Sequence, residues 1–221
     1  MATAPVITSI NQNTNNGNVT LSFTSSGAST EILSVERMTM HRQTTEWVQV
    51  RVVTRGTLTN VIDYTAPTGD IQLAYRIKAT NANGSGAVYS NVQYITLTCL
   101  DFSSVALVSE TWNPLTMMYA TSRSGDRGRQ ASLHRFAGRN YPVKELARQY
   151  EEKVQVEWYC ETYTEVLDYY ATMVDNDFWY RDNSGRSFHA STGNINVTDS
   201  KVLNGFTCSA TLTRLDGGVN N

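Results

Sequence analysis

The chain has few cysteines, prolines and charged side chains, and these shortages exclude several classes of protein. Only three cysteines and four prolines occur among 221 residues, and charged residues make up 17%. Cys99, Cys160 and Cys208 lie too far apart for the short spacings of zinc and redox motifs. We therefore expect buried thiols in a reducing compartment.

Long apolar runs and an excess of positive charge are also missing. No apolar stretch approaches the roughly 20 residues that a membrane helix needs, and the opening MATAPVITSIN lacks the regions of a signal peptide. A net charge of −2 provides no general field for nucleic acid. We expect a protein that stays in solution and has neither a membrane nor a specific nucleic-acid sequence as its partner.

Catalytic and cofactor signatures are absent as well. The sequence has no phosphate-binding Walker loop, dinucleotide fingerprint, His-Glu-x-x-His or Gly-x-Ser-x-Gly motif. Its histidines, His41, His134 and His189, are too scattered to suggest a metal triad. A catalytic set assembled in space from Ser132, His134 and Asp182 stays open as a minor alternative. We predict a protein that is not an enzyme and needs no cofactor or metal.

What the sequence does contain is strand periodicity. NVTLSF, WVQVRVV and QLAYRIKA alternate apolar and polar residues, and Asn-Gly, Pro-Thr-Gly-Asp and Asn-Gly-Ser-Gly segments supply turns. Short strands at this spacing are typical of a β-sandwich. We place it at residues 1–98 and a second, mainly β domain at residues 99–221.

Within the first domain, APVITSI, VER, DYTAP and the motif YRIKATNANG at residues 75–84 resemble a fibronectin type III domain. The resemblance implies that Tyr75 ties a strand end to the neighbouring loop and that Trp47 fills the space between the sheets. Thr68-Gly69-Asp70 stands in place of an adhesive Arg-Gly-Asp, so integrin-type recognition has no support.

The second domain predicts strands, a polar loop and a helix. Residues 122–130, rich in glycine and arginine, are expected to form a loop that is either solvated or in contact with another protein. VQVEWYC alternates like a half-buried strand. Thr162 and Glu165 match a capping box at the start of a helix over about residues 163–175. Three strands, with a turn at DNSG, complete the domain.

Charge is segregated within this domain. Residues 123–153 hold eight basic and four acidic groups, a net of +4, whereas residues 157–182 hold one basic and seven acidic groups, a net of −6. Complementary patches of this kind suit a head-to-tail interface that closes into a ring. The charges alone fit equally well an alternative in which the two patches face each other inside one domain. The predicted interface residues are Arg123, Arg127, Arg129, Arg139, Arg148, Glu161, Glu165 and Asp168.

The order of several segments carries a second resemblance. FAGRNYPV, RQYEEKVQVEWYC, the helix, WYRDNSGRSFHASTGNINVTD and FTCSATLTRLD resemble the minor tail or distal tail protein family of long-tailed bacteriophages over roughly residues 100–216. The motif positions are Gly138, Arg139, Pro142, Tyr180, Arg181, Asp182, Gly185 and Arg186.

This resemblance implies a tail-tube-like split β-barrel with one short helix, assembled as a homo-oligomeric ring around the tail channel. A hexamer is the usual number, the other partners are tube and tip-hub proteins, and the location is the tail of the virion, made in the host cytoplasm. The fibronectin-like domain would serve either as surface decoration or for weak contact with the host surface, with host cell-surface glycans as the candidate partner, and whether it binds anything stays open. It precedes the barrel here, unlike in many distal tail proteins, so the position within the tail stays open. The alternative is a secreted or cell-surface glycan-binding module of a bacterium.

Overall fold

The computed structural model describes residues 1–39, 47–129, 131–138, 140–147, 150–200 and 204–215. By their contacts these residues fall into two compact units: residues 1–116 with 179–188, and residues 117–178 with 189–215. The fold is mainly β with one α-helix, which confirms the predicted fold class. The described helix is too short and too polar to cross a membrane.

Two sheets of the first unit form a sandwich. One has the order β1-β2-β5 and the other the order β4-β3-β6-β7, with β8 also on β6. The strands are β1 Val6–Gln12, β2 Val19–Thr24, β3 Ile32–Thr39, β4 Val48–Thr54, β5 Asn60–Asp63, β6 Gln72–Thr80, β7 Val88–Tyr89 and β8 Gln93–Thr96.

Alternation along the strands builds the sandwich core. In β2, Val19, Leu21 and Phe23 are buried, and they pack in one cluster with residues such as Leu33 and Ile77 from the facing sheet. Because every second residue points inward, the other faces of these strands carry the polar side chains.

The expected role of Trp47 is wrong. Trp47 is half-buried just before β4 and lies outside the core cluster, which is filled by aliphatic side chains together with Phe23 and Tyr75. Its ring instead contacts the guanidinium of Arg76, 4.2 Å from the ring centroid. The attraction between a cation and the indole face therefore holds Trp47 at the polar side of the sheet.

The remaining strands follow in the second half of the chain. Seven of them form a sheet of order β13-β10-β9-β14-β15-β17-β16, and an additional β13–β17 pairing closes six into a barrel. The elements are β9 Ser103–Leu107, a 3₁₀ turn Val108–Glu110, β10 Leu115–Gly128, β11 Ala131–His134, β12 Val143–Leu146, β13 Glu151–Cys160, α1 Tyr163–Met173, β14 Phe178–Arg181, β15 Ser187–Ser191, β16 Asn196–Ser200 and β17 Gly205–Arg214.

The predicted loop at residues 122–130 is largely a strand. β10 continues to Gly128, and its residues from Ser122 onward pair with β13, ending at Gly128 opposite Glu151. Backbone hydrogen bonds to β13 order this segment although it has almost no apolar side chains. The prediction failed because it considered only burial, and ladder pairing does not depend on it.

The predicted helix is confirmed, with an end two residues earlier. The Thr162 hydroxyl accepts from the Glu165 N–H at 3.3 Å, and the Glu165 carboxylate accepts from the Glu161 N–H at 3.0 Å. This reciprocal arrangement satisfies donors at the helix start. Val166 and Tyr169 are buried on the inner face, where Tyr169 contacts Trp158 with ring centroids 5.0 Å apart.

Candidate interaction surface

Arg181, in the hairpin motif that begins at Tyr180, forms hydrogen bonds to several chain segments within the first unit. Arg181 is buried, and its Nε donates to Ser104 Oγ at 2.9 Å. Its other nitrogens donate to the Asn16 carbonyl at 2.8 Å, the Ala66 carbonyl at 3.2 Å and Asn18 Oδ1 at 3.3 Å. Burial lowers the pKa of Arg181 to about 10, so the guanidinium stays charged at neutral pH.

Asp182 organises the turn that follows. Its carboxylate is fully buried and accepts from the Tyr180 hydroxyl at 2.9 Å, the backbone N–H groups of Ser184 and Arg186 at 2.9 and 3.0 Å, and the Arg186 guanidinium at 3.1 Å. Gly185 closes the turn at φ +86°, which a residue with a side chain rarely adopts. These contacts use Asp182 within its own hairpin.

A second buried network surrounds Tyr75. Its hydroxyl donates to Asp63 Oδ2 at 2.8 Å, and Arg37 Nη1 lies 2.7 Å from the same oxygen. The Thr65 N–H and hydroxyl donate to Asp63 Oδ1 at 2.8 and 2.7 Å. Burial alone would raise the pKa of Asp63, but the Arg37 charge and these hydrogen bonds lower it. Tyr75 thereby links β6 to the end of β5.

Each of the two described histidines lies beside one carboxylate. His134 Nε2 lies 2.9 Å from Glu145 Oε2 across the β11–β12 hairpin, and His189 Nε2 lies 3.8 Å from Asp177 Oδ2. His41 lies outside the described residues. Within the described ranges, no group of three or more side chains is placed to hold a metal ion.

An exposed hairpin projects apolar side chains. We call it the arm: strands β11 and β12 with the described residues between them. Every residue of the two strands is exposed, and the two strands form a sheet of their own. The large exposed apolar side chains of the arm are Leu133, Phe136, Tyr141, Val143 and Leu146, with Tyr141 83% exposed. A two-stranded hairpin without a core is marginally stable alone, which favours a docked state.

Basic side chains lie where the arm leaves the β10–β13 ladder. The guanidinium of Arg129 lies 4.1 Å from the centre of the Tyr150 ring, and that of Arg127 lies 5.9 Å from it. Arg127 Nε is also 3.7 Å from Glu152 Oε2. Arg127 and Arg129 are exposed, and Arg123 is half-buried. The two other predicted interface arginines, Arg139 and Arg148, lie outside the described residues.

The exposed charged side chains of helix α1 and its ends are all acidic. We define this acidic face by Glu161, Asp168, Asp175 and Asp177, all exposed. No lysine, arginine or histidine occurs between residues 157 and 178. Glu165 was predicted as an interface residue but is half-buried, with its carboxylate in the helix cap.

The ion pairs of the basic region bear on the alternative that the two patches neutralise each other. Arg127, Lys153 and His134 pair with Glu152, Glu151 and Glu145 respectively. All three pairs lie inside the basic region, and none of them uses an acidic residue of α1. In the described residues, the basic region is thus neutralised in part by its own carboxylates, and Asp177 of the acidic face is paired with His189.

The remaining motif residues are structural or exposed. Gly138 has φ +84° in the bend of the arm, and Pro142 lies exposed just before β12. The apolar side chains of the arm were missed at the sequence level. Their signal was a cluster of apolar residues without a two- or four-residue period.

The sandwich carries an aromatic face, defined by Trp47, Arg76, Tyr89 and Tyr94. The Arg76 guanidinium contacts both Trp47 and Tyr89, 4.2 and 4.3 Å from their ring centroids. Glu36 Oε2 holds Arg76 Nε at 2.6 Å, and Tyr94 on β8 is 55% exposed. The stack joins residues of β6, β7 and the position just before β4, so no local sequence pattern indicated it.

The fold defines a mainly β protein with a sandwich and a closed six-stranded barrel. No protein-family model matches the chain, and no curated protein matches it. The likeness to phage tail proteins and to fibronectin type III domains therefore stays a resemblance carried by the sequence motifs.

Proposed function

We propose that this protein is a structural, non-enzymatic subunit of a bacteriophage tail that assembles into a homo-oligomeric ring around the tail channel. The ring is a hexamer of distal tail or tube type, in contact with tail-tube and tip-hub proteins of the virion. The observation that carries the proposal is the arm, which exposes five large apolar side chains on a hairpin without a core.

The distribution of charged residues indicates which surface of a second copy the arm would contact. The arm and the adjoining ends of β10 and β13 carry the basic excess, and residues 157–178, which hold the acidic face, contain no lysine or arginine. If the basic region of one copy meets the acidic face of the next, the contact is head-to-tail, and each copy both gives and receives one arm. Burial of the arm's apolar side chains would stabilise such a contact, while charge would set its register.

Size measurement and imaging test this proposal together. The purified full-length chain should run as a ring-sized oligomer in light scattering, and negative-stain images should show closed rings. Cryo-EM of virions should place the same ring in the tail. A monomer at high concentration that is also absent from particles would contradict the proposal.

The aromatic face supports a second candidate, glycan contact by the sandwich. Exposed tyrosine rings beside fixed charged groups offer apolar faces for sugar rings and hydrogen-bond partners for hydroxyl groups. This function suits either a tail decoration or a bacterial surface module. A glycan array with the full chain should give binding that Tyr94→Ser abolishes and that Tyr141→Ser, on the arm, leaves unchanged. Equal loss in both variants, or no binding at all, would count against it.

A further inference from the structure

Two buried cysteines lie side by side in the second unit, and the proposed function uses neither of them. Cys160 is the last residue of β13 and Cys208 lies in β17; both are fully buried. Their Sγ atoms are 3.8 Å apart. Cys99, by contrast, is exposed.

Strand register explains why the two thiols meet. Cys160 is paired with Phe206 and Cys208 with Trp158, so the cysteines occupy diagonal positions on one face of the β13–β17 ladder. The backbones are close here, since a Cβ added at Gly205 would lie 2.5 Å from the Cys160 carbonyl oxygen. Diagonal neighbours have Cα atoms about 7–8 Å apart, so bringing the sulfurs to the bond length of about 2.05 Å requires movement of the backbone at the end of β13 as well as side-chain rotation.

The two thiols are chemically unequal. The Cys208 S–H donates toward the Cys160 sulfur. That hydrogen bond lowers the pKa of Cys160 and raises the pKa of Cys208. Cys160 is therefore the better nucleophile, and Cys208 is positioned as its resolving partner.

We propose that Cys160 and Cys208 form an oxidation site that closes to an intramolecular disulfide when the folded chain meets a peroxide. The Cys160 thiolate attacks one peroxide oxygen, the O–O bond breaks, and with one proton the products are a sulfenic acid and water. The Cys208 sulfur then attacks the Cys160 sulfur and releases a second water. In total, two thiols and one hydrogen peroxide give one disulfide and two waters.

The position of Cys160 gives a small oxidant its route. Cys160 is followed directly by the short connection to α1, and strand ends open locally far more often than the whole domain unfolds. The closed bridge would enclose a chain separation of 48 residues, including α1 and the β14–β15 hairpin. The chain could thus fold reduced and be cross-linked later. The oxidation site itself does not depend on the proposed function. Only the timing of the cross-link, after release of a virion from the cell, rests on that function.

Peptide mapping of the oxidised full-length chain tests the site without any ring or virion. In the Cys99→Ser background, the folded protein is treated with hydrogen peroxide, and remaining thiols are counted after denaturation. We expect both thiols to disappear, the mass to fall by about 2 Da, and one cross-linked peptide to join Cys160 to Cys208. The melting temperature should rise by about 5 to 10 °C and return to its starting value after reduction.

The matched control is Cys208→Ser in the same background. Without its resolving partner, Cys160 should be trapped as a sulfenic acid by a dimedone reagent, and no cross-linked peptide should form. Two thiols that survive treatment of the Cys99→Ser protein, or overoxidation of Cys160 without a cross-link, would overturn the proposal. Because wild-type side chains are present at both positions in the main experiment, the result does not depend on the folding of the control.

Discussion

At the scale of single residues, the main feature is that buried arginine side chains form hydrogen bonds to other segments of the protein. The described hydrogen bonds of Arg181 go to neutral acceptors, whereas Arg37 donates to the carboxylate of Asp63. A buried cation keeps its place when several acceptors replace the lost water. Both arginines therefore hold separate chain segments together.

Arg181→Met should destabilise the protein by about 2 to 5 kcal/mol. Methionine keeps much of the aliphatic volume, but the Ala66 carbonyl and the Ser104 hydroxyl lose a donor in a buried position. Urea denaturation measures the loss. Arg135→Met, at an exposed position of the arm, is the control and should change the free energy of unfolding by less than about 0.5 kcal/mol. Equal effects in the two variants would show that the buried contacts are unimportant.

Asp63→Asn should weaken the protein at pH 7 by about 3 to 5 kcal/mol because it leaves Arg37 charged, buried and without a counterion. The pKa of Asp63 is lowered in the folded state, so its contribution is complete above the unfolded value of about 3.9. It is lost as the pH falls through the lower folded value. The variant should therefore show a flatter acid limb in urea unfolding measured from pH 6 to pH 2.

The exposed Asp70 provides the control for this pH experiment. Asp70→Asn should keep the wild-type stability at pH 7 and the wild-type acid limb. A wild-type stability that is constant from pH 6 down to pH 2 would contradict the assigned role of Asp63.

At the scale of secondary-structure elements, the sequence predicted features that depend on neighbouring residues, but it did not predict features that depend on pairing with distant strands. The sequence predicted the two-residue alternation of β2 and β13 and the cap at Thr162, because each of these features depends on residues that are neighbours in the chain. The extension of β10 to Gly128 depends on pairing with β13, which lies more than twenty residues further along the chain. The local sequence pattern therefore could not predict this extension. For Trp47, the local pattern showed an aromatic residue near a strand, but it did not show that Arg76 holds this residue outside the core.

The Thr68-Gly69-Asp70 segment shows the same limit. Thr68 and Gly69 are buried, and a Cβ added at Gly69 would lie 2.6 Å from the Asn183 carbonyl oxygen and from the Gly185 nitrogen. The glycine is therefore required by close approach of the β14–β15 turn. This contact spans more than a hundred residues of sequence, which is why motif inspection could only dismiss the segment as an adhesive site.

Thr162→Ala should destabilise the protein by about 1 kcal/mol because the Glu165 N–H loses its acceptor at the start of α1. Thr164→Ala, one residue into the same turn and exposed, is the matched control with an expected change below about 0.5 kcal/mol. Both are measured by urea unfolding. A smaller loss for Thr162→Ala than for Thr164→Ala would contradict the cap.

At the scale of the whole molecule, the candidate surface was only partly accessible from sequence. The charge segregation could be counted directly, and it pointed to Arg127, Arg129, Glu161 and Asp168, all exposed in the structure. The structure then removed Asp182 from the acidic patch, since that carboxylate is buried in its hairpin. It added the apolar residues of the arm, whose exposure follows from tertiary structure and not from pattern.

Charge reversal on the two surfaces separately should abolish assembly, and mixing the two variants should restore it. One variant is Arg127→Glu with Arg129→Glu, and the other is Glu161→Arg with Asp168→Arg. In a head-to-tail contact each variant alone places like charges against each other, so we expect association at least about 100-fold weaker, or roughly 2.7 kcal/mol. In the mixture, the reversed, acidic end of β10 in one variant meets the basic helix surface of the other, and the unaltered surfaces meet in the next contact.

The mixture should therefore form rings with the two variants alternating, which native mass spectrometry resolves as equal copy numbers. Asp70→Lys with Glu110→Lys is the matched control, because it changes the net charge as much as the helix variant but lies at exposed positions outside both surfaces. Assembly of the control should match that of the wild type, and added salt should weaken both alike. If the wild type forms rings while the mixed variants stay dispersed, the ring is built through other surfaces, and the arm and the acidic face are not partners.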